Sequence, residues 1–272
     1  INKVGQSEQT AIKQEHFRTI LGVHLRIVNA IFRKNNYVDH TYRYYDINAG
    51  PGFVDGESGS PAIFEEEASR VGLDYLANLI EIDRDNYLQL AKRFSNNDKV
   101  KVYYGDNRII IPAILPIMSL RHKHAWSYGL LYADPNGIFS DSVIRQFCEA
   151  ECNQHIDVLI YCPASAIKRN ICRCGCDDKR RFIERIDGIK KYCFIKDPQN
   201  TKWQWTHVLL TNWGGHPQFK NIGMYNIESK KGQEILRKLN YTNNELRTIN
   251  QLSLFEKKNG LNILNISGAM NL

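Results

Sequence analysis

Four acidic residues, Asp46, Glu81, Asp106 and Asp134, each stand at or just past the carboxyl end of a run of apolar and aromatic residues. A carboxylate there accepts hydrogen bonds from hydroxyl and amino groups. The first run, Tyr42 to Ile47, passes directly into Asn48-Ala49-Gly50-Pro51-Gly52, where glycines replace side chains. A strand entering a Gly-rich turn is how a doubly wound α/β sheet lets its backbone approach a nucleotide-like ligand. The spacing Asp-x-x-Ala-Gly-x-Gly differs from the dinucleotide fingerprint, and it lacks the Gly-Lys-Ser/Thr of a P-loop. At the end of the second run, Glu81 suits ribose hydroxyls, with Asp83 next in order. Asp83 equally suits the cap of the helix that follows. Asp106 and Asn107 follow the third run, at the rim where a carboxylate meets an adenine amino group; Asp-Asn is also ordinary turn chemistry. The fourth run ends in Asp134-Pro135-Asn136-Gly137.

The elements that must hold these residues follow from periodicity. Residues 8 to 35 repeat apolar side chains at helical spacing (Ile12, Phe17, Ile20, Leu21, Leu25, Val28, Phe32), and Lys13, His16 and His24 read as part of a solvated face. Strands are expected at Tyr42–Ile47, Ala77–Asp83, Val100–Tyr104, Tyr128–Ala133 and 156–162, the last near-continuously apolar as a buried central strand is. Helices are expected from Pro61 to Leu76, Asp85 to Phe94, Ile109 to Leu120 and Lys230 to Asn240, and Pro61 is a favourable first-turn residue. Trp203–Thr211 and Ile222–Ile227, separated by a turn-rich stretch, read as a hairpin. A short strand is expected at Leu252–Leu254. The class is therefore α/β, a Rossmann-like, seven-stranded, mostly parallel sheet with a late antiparallel hairpin and an added N-terminal helix. Four strand ends carrying acid or glycine on one rim of such a sheet converge on a ligand crevice.

Composition bounds the rest. With 272 residues, 43% of them hydrophobic, the chain can build a substantial core. No run of about 18 apolar residues occurs, so no membrane span is expected. The first residues, INKVGQSEQT, lack a methionine start and the charged-then-apolar layout of a secretion signal. Seven scattered cysteines fit a reducing cytoplasm rather than a disulfide framework. Thirty-six basic residues against 29 acidic give a net charge of +7, a balance that favours polyanionic partners. Ten Lys/Arg and only four acids fall between Lys168 and Lys196.

On these residues the chain resembles the class I S-adenosyl-L-methionine (SAM)-dependent methyltransferases. It is most similar to the three-Cys-motif partner family, through Ala49-Gly50-Pro51-Gly52, Gly59-Ser60-Pro61, Ile80-Glu81-Ile82-Asp83 and Asp134-Pro135-Asn136-Gly137. The resemblance covers roughly residues 8 to 255. It implies a SAM site built from Asp46, Asn48, Ala49, Gly50, Pro51, Gly52, Glu81, Asp83, Asp106 and Asn107, with Asp46 orienting the amino end of SAM. The fourth motif is also similar to the Asp-Pro-Pro-Tyr of amino methyltransferases acting on adenine or cytosine. That likeness implies catalytic roles for Asp134, Pro135 and Asn136, with Asp134 accepting from the target amine. The stacking aromatic of that motif is missing here, and Phe139 is its substitute. Cytosine C5 chemistry needs a nucleophilic cysteine, usually after proline, and Cys162-Pro163 has the reverse order.

The expected function is methyl transfer to nucleic acid, DNA or RNA, at an exocyclic amine, adenine N6 first. The alternatives are a non-catalytic methyltransferase-like subunit binding SAM or nucleic acid, and a small-molecule or protein methyltransferase. The basic segment lies beyond strand five, on the ligand rim, where Lys168 and Arg169 are the best phosphate-binding candidates. Cys172, Cys174 and Cys176 read as free thiols beside the site. Three thiols at i, i+2 and i+4 lack the fourth ligand and the C-x-x-C spacing of a metal centre, and no metal is expected. The expected organisation is a helical segment over 1–36, a methyltransferase domain over 37–255 with a basic insertion at 164–200, and a tail over 256–272. A protein partner is left open.

Overall fold

The computed structural model describes residues 8–35, 38–54, 56–121, 126–135, 139–163, 186–198, 205–214 and 217–240. Its centre is an eight-stranded sheet. The strands are β1 (Val38–Asp46), β4 (Tyr75–Glu81), β5 (Val100–Tyr104), β6 (Trp126–Ala133), β7 (Ile156–Pro163), β8 (Tyr192–Lys196), β9 (Trp205–Thr211) and β10 (Met224–Asn226), and two short strands, β2 (Phe53–Val54) and β3 (Glu57–Ser58), pair separately. The spatial order is β10-β8-β9-β7-β6-β1-β4-β5. The five strands from β7 to β5 pair in parallel. β9 runs antiparallel to both β7 and β8, and β10 antiparallel to β8. The order reverses on either side of β1 and β6, which is the switch point where such a sheet opens a crevice at its carboxyl rim.

Side-chain alternation on these strands fills two cores. Tyr42 and Tyr44 of β1 face one, while Tyr45 faces the other. The first core is covered by α1 (Glu8–Lys34), α2 (Ser60–Val71) and α3 (Arg84–Arg93), the second by α4 (Asn107–Arg121), α5 (Asp141–Glu149) and α7 (Lys230–Asn240); a short α6 (Pro217–Asn221) adds Phe219 to the first. The long α1 sinks Phe17, Ile20, Leu21, Leu25 and Val28 into the first core. It is tied to α2 through Glu67, which is 3% exposed and pairs with Arg18 and Arg70.

The fold class expected from sequence is present, with three differences. Among the described residues the sheet has eight strands rather than seven. The late hairpin is β8–β9, because β9 is buried along its whole length and both its edges are used, leaving β10 the outer edge of β8. The second helix stops at Val71 rather than near Leu76, since Gly72 takes a left-handed conformation (φ 69°) and its N–H bonds back to the last carbonyls, so β4 can start at Tyr75. The strand expected at Leu252–Leu254 lies outside the described residues.

Candidate functional site

The carboxyl ends of β1, β4, β5 and β6 surround a cavity of about 490 Å³, within the size range of a small-molecule or cofactor site. Its wall is continuous from the glycine turn (Asn48 to Phe53), through Gly59 and Ser60, to Glu81–Asp83, Gly105–Asn107 and Asp134, and α1 closes it with Thr10, Lys13, Gln14 and Phe17.

The glycine turn is held by its own neighbours. Gly50 and Gly52 have φ of 65° and 80°, which L side chains rarely adopt, and a side chain at Gly50 would meet nothing within 4 Å. The cradle is therefore open on that side. The N–H of Gly59 donates to the carbonyl of Gly52 (2.8 Å), so the Gly-Ser-Pro cluster is folded back onto the Ala-Gly-Pro-Gly turn. Ser60 Oγ donates to Asp46 Oδ2 (2.6 Å), Tyr44 donates its phenol to the same oxygen (3.1 Å), and the Asn48 N–H donates to Asp46 Oδ1 (3.2 Å). Asp46 is fully buried and does not line the cavity, so it shapes the turn from behind. Burial pushes its carboxyl up to about 7, against the three donors that favour the charge.

Glu81 joins the two halves of the wall. Its Oε2 accepts from the Gly50 N–H (2.7 Å) and its Oε1 from the Asp83 N–H (2.7 Å). A carboxylate has about four acceptor positions, so each oxygen keeps one beyond these bonds, and Glu81 lines the cavity. Asp83 lines the same wall but spends Oδ1 on capping α3, accepting from Asp85 N (3.0 Å) and Asn86 N (2.9 Å). Asp106 is bound by the guanidinium of Arg108, whose hydrogen bonds hold its carboxyl below the usual range. Asn107 donates its amide to the Ile47 carbonyl (3.0 Å), linking β1 to the start of α4.

At the inner end stands Asp134. Its Oδ2 accepts a 2.7 Å ion-pair hydrogen bond from Lys13 Nζ, and the same ammonium lies 4.9 Å from the centroid of the Tyr161 ring. Pro135 is half-buried beside it, and Asn136 lies outside the described residues. Phe139 is 5% exposed in the second core and is absent from the cavity wall, so its ring is not presented to a ligand there.

The reading of Lys13, His16 and His24 as a solvated face is corrected. They fall in phase with the apolar stripe of α1 rather than opposite it. His16 is 5% and His24 0% exposed. His24 Nε2 meets Asp157 Oδ2 (3.1 Å) and its Nδ1 meets the Tyr42 hydroxyl (2.8 Å), at the foot of the sheet. His16 packs on Trp205 (5.1 Å between centroids) beside His207 and Tyr161. None of Tyr161, Trp205 and His207 was singled out in the sequence. Their only signal is a polar ring at alternate positions of strands otherwise buried, Tyr161 on β7 and Trp205 with His207 on β9.

Of the ten basic residues between 168 and 196, Lys190, Lys191 and Lys196 are described. Lys190 donates to the carbonyls of Asn153 and Gln154, and Lys196 is 7% exposed, so neither offers its charge to a phosphate. Lys168, Arg169, Cys172, Cys174 and Cys176 lie outside the described residues. Among the described residues no group of three or more His, Cys, Asp or Glu is arranged to hold a metal, and no helix is long and apolar enough to cross a membrane.

No family model and no curated protein matches the sequence. Among solved structures the chain is similar in fold to human methyltransferase-like protein 13 in complex with SAH (11% identity, 83% of this chain and 93% of that one, TM-score 0.48). It is also similar to M. jannaschii TYW2 in complex with AdoMet (12%, 77% and 77%, 0.40) and to the METTL16 MTase domain (12%, 70% and 66%, 0.40). At these identities the likeness is one of fold alone.

Proposed function

We infer that the protein is a SAM-dependent methyltransferase acting on an exocyclic amine of a nucleic-acid base, adenine N6 first. The observation that supports this most is the position of the Asp134 carboxylate on the same cavity as the glycine turn and Glu81. The residues fit the cofactor: an open backbone cradle at Gly50, free acceptor positions on Glu81, and a volume of about 490 Å³. Ala49 to Gly52 would receive its methionine part, Glu81 its ribose, and the wall at Asp106 and Asn107 its adenine. Bound there, SAM supplies an electrophilic methyl: the amine nitrogen bonds to its carbon, the carbon–sulfur pair returns to sulfur, and the nitrogen gives up one proton.

Asp134 accepts a hydrogen bond from the amine and aims the nitrogen lone pair toward the cavity, the orientation an in-line displacement requires. The departing proton passes to water, which reaches this end of the cavity because the Asp134 side chain is 19% exposed. The excess of basic residues beyond β7, with Lys168 and Arg169 foremost, supports a polyanionic substrate. The motif Asp134-Pro135, shared in type with amino methyltransferases, supports the amine. The domain boundaries at 36 and 255, and the insertion at 164–200, are proposed on the same footing.

The test is calorimetric titration with SAM together with transfer of labelled methyl from SAM into DNA and RNA pools. Binding and incorporation are expected for the native chain, and incorporation that survives Asp134→Ala would sink the role of that carboxylate. A second reading, a methyltransferase-like subunit without catalysis, is favoured by one observation: the Asp134 oxygen is already occupied by Lys13. SAM binding with no incorporation into any acceptor would select it.

A further inference from the structure

Beyond Asp134, on the face of the sheet covered by α1, five polar atoms are buried without a partner: Nδ1 and Nε2 of His16, Nδ1 and Nε2 of His207, and Nε1 of Trp205. The three residues are 5%, 0% and 3% exposed. Buried polar groups are ordinarily hydrogen-bonded, and each one left unmade is destabilising. All five are closed off from solvent, so the ring that a ligand can reach at this cluster is the partly buried Tyr161. Trp205 and His207 pack on Tyr161, whose ring is 5.7 Å from that of Trp205 and 5.5 Å from that of His207 and is itself only partly buried. Lys13 links the cluster to the cavity, with its ammonium against both Asp134 and the Tyr161 ring.

The chemistry of the wall selects the ligand. Burial pushes His16 down to about 4, with the charge of Lys196 acting in the same direction, and holds His207 well below its usual range, with His16, Lys13 and Lys196 adding to the effect. Both imidazoles are thus neutral near pH 7, and each offers one donor and one acceptor. A wall of neutral rings behind Tyr161 is poor for a phosphate and good for a flat aromatic ligand. The Tyr161 face supplies stacking, the interaction that holds an unstacked base on an aromatic side chain.

We propose that Tyr161 is the stacking platform for the acceptor base, and that Lys13 covers its ring and stands in for the acceptor amine on Asp134 until a base displaces it. This rests on the reading of the cavity as a methyltransferase site with a nucleic-acid acceptor. It assigns to the strand after Asp134 the aromatic role that the motif itself lacks. The lysine explains how the Asp134 carboxylate stays paired while the site is free of substrate.

The test uses the full chain and short single strands, one DNA and one RNA, in which one adenine is replaced by 8-vinyladenine, a fluorescent base that keeps the exocyclic amine and dims on stacking. A dye at the other end reports association by anisotropy. Native protein is expected to quench the base, and Tyr161→Phe to match it. Tyr161→Ala should keep the anisotropy change and lose the quench. Lys13→Met should tighten the quench-detected affinity about threefold, because a displaced ion pair at a partly exposed site weakens apparent binding by that order. Absence of quenching with both strands, quenching unchanged in Tyr161→Ala, or weaker binding in Lys13→Met would each overturn the proposal. Calorimetry with SAM on the same preparations separates the two readings: quenching without SAM binding refutes the methyltransferase site and leaves the base platform standing.

Discussion

Replacing Asp46 with asparagine isolates the energetic consequence of burying an acid behind the glycine turn. In the folded chain burial raises this carboxyl from 3.8 to about 7. At 1.36 kcal/mol per pKa unit that is a handicap of ~4 kcal/mol for the ionised form. The sign follows from proton uptake. Between the two values the folded state holds a proton that the unfolded state has released, so the contribution is fully present below 3.8 and is lost as pH rises toward 7. From pH 5 to pH 7 the native chain should lose ~2.5 kcal/mol through this group alone, by the same factor per pH unit. His16 acts in the opposite sense, since its value falls from 6.5 to about 4 and its contribution is lost as pH falls through that window. The two slopes oppose each other in any single profile, and the difference between native and Asp46→Asn removes the His16 part. The amide oxygen of the variant still accepts from the Asn48 N–H, while the hydroxyls of Ser60 and Tyr44 can turn to accept from its nitrogen. The assay is chemical denaturation of both proteins at pH 5, 6, 7 and 8. The stability of native minus variant should drop by ~2.5 kcal/mol from pH 5 to 7 and then level. A difference that stays constant across that range refutes the reasoning.

Glu81→Gln keeps one acceptor oxygen of the two that hold Gly50 N and Asp83 N. A hydrogen bond to a charged group is worth about 1.5–3 kcal/mol, so SAM affinity measured by calorimetry should fall by about tenfold or more. His24→Phe leaves the Asp157 carboxylate at the foot of the sheet buried and unpaired, and its Oδ1 already has no partner; denaturation should report a loss of about 3–5 kcal/mol, part of it regained in His24→Phe with Asp157→Leu. Reversing Lys168 and Arg169 to glutamate should weaken binding to mixed-sequence single strands and reduce the slope of log affinity against log salt by about 2, at roughly one per lost phosphate contact; an unchanged slope removes these two from the interface.

What could be read in advance was what is local in the chain. The turn Ala49-Gly50-Pro51-Gly52 announces itself because positive φ demands glycine where it stands, and the carboxylates at strand ends are adjacent in sequence to the strands that carry them. Asp83 was correctly weighed as a helix cap for the same reason: its partners are two and three residues away. Periodicity gives helix α1 but not the place of its polar residues. Lysine and histidine in phase with Phe17 and Ile20 look like interruptions of an apolar stripe, yet here they carry partners from 121 and 133 residues away, the part-buried Asp134 for Lys13 and the buried Asp157 for His24. β8 was missed because its five residues, Tyr192–Lys196, lie inside the basic segment, where charge masked the alternation. Without β8 the hairpin was given the wrong partner. The cluster of Tyr161, Trp205 and His207 was hidden by the same step, since only the antiparallel register that sets Tyr161 opposite His207 and Pro163 opposite Trp205 brings those rings together.

Helix α1 then has a role that neither its length nor its amphipathicity announces. It is pinned at both ends of the sheet by polar contacts that fix its register. His24 between Asp157 and Tyr42 secures the amino ends of the strands, and Lys13 on Asp134 reaches the carboxyl ends. Eleven residues of helix separate the two pins, about 16 Å at 1.5 Å per residue. The foot contact is buried and costly to break, whereas Lys13 and Asp134 are 24% and 19% exposed and within reach of water. A helix fixed at one end and lightly held at the other can release Asp134 to an incoming group without moving its own axis, by the rotation of one lysine side chain. The wall that holds His16 against Trp205 stays in place while this happens. The asymmetry of the two pins makes the pairing of Lys13 with Asp134 compatible with the proposed acceptor role of Asp134, and the same asymmetry predicts that His24→Phe lowers the base quenching proposed for Tyr161 more than Lys13→Met does.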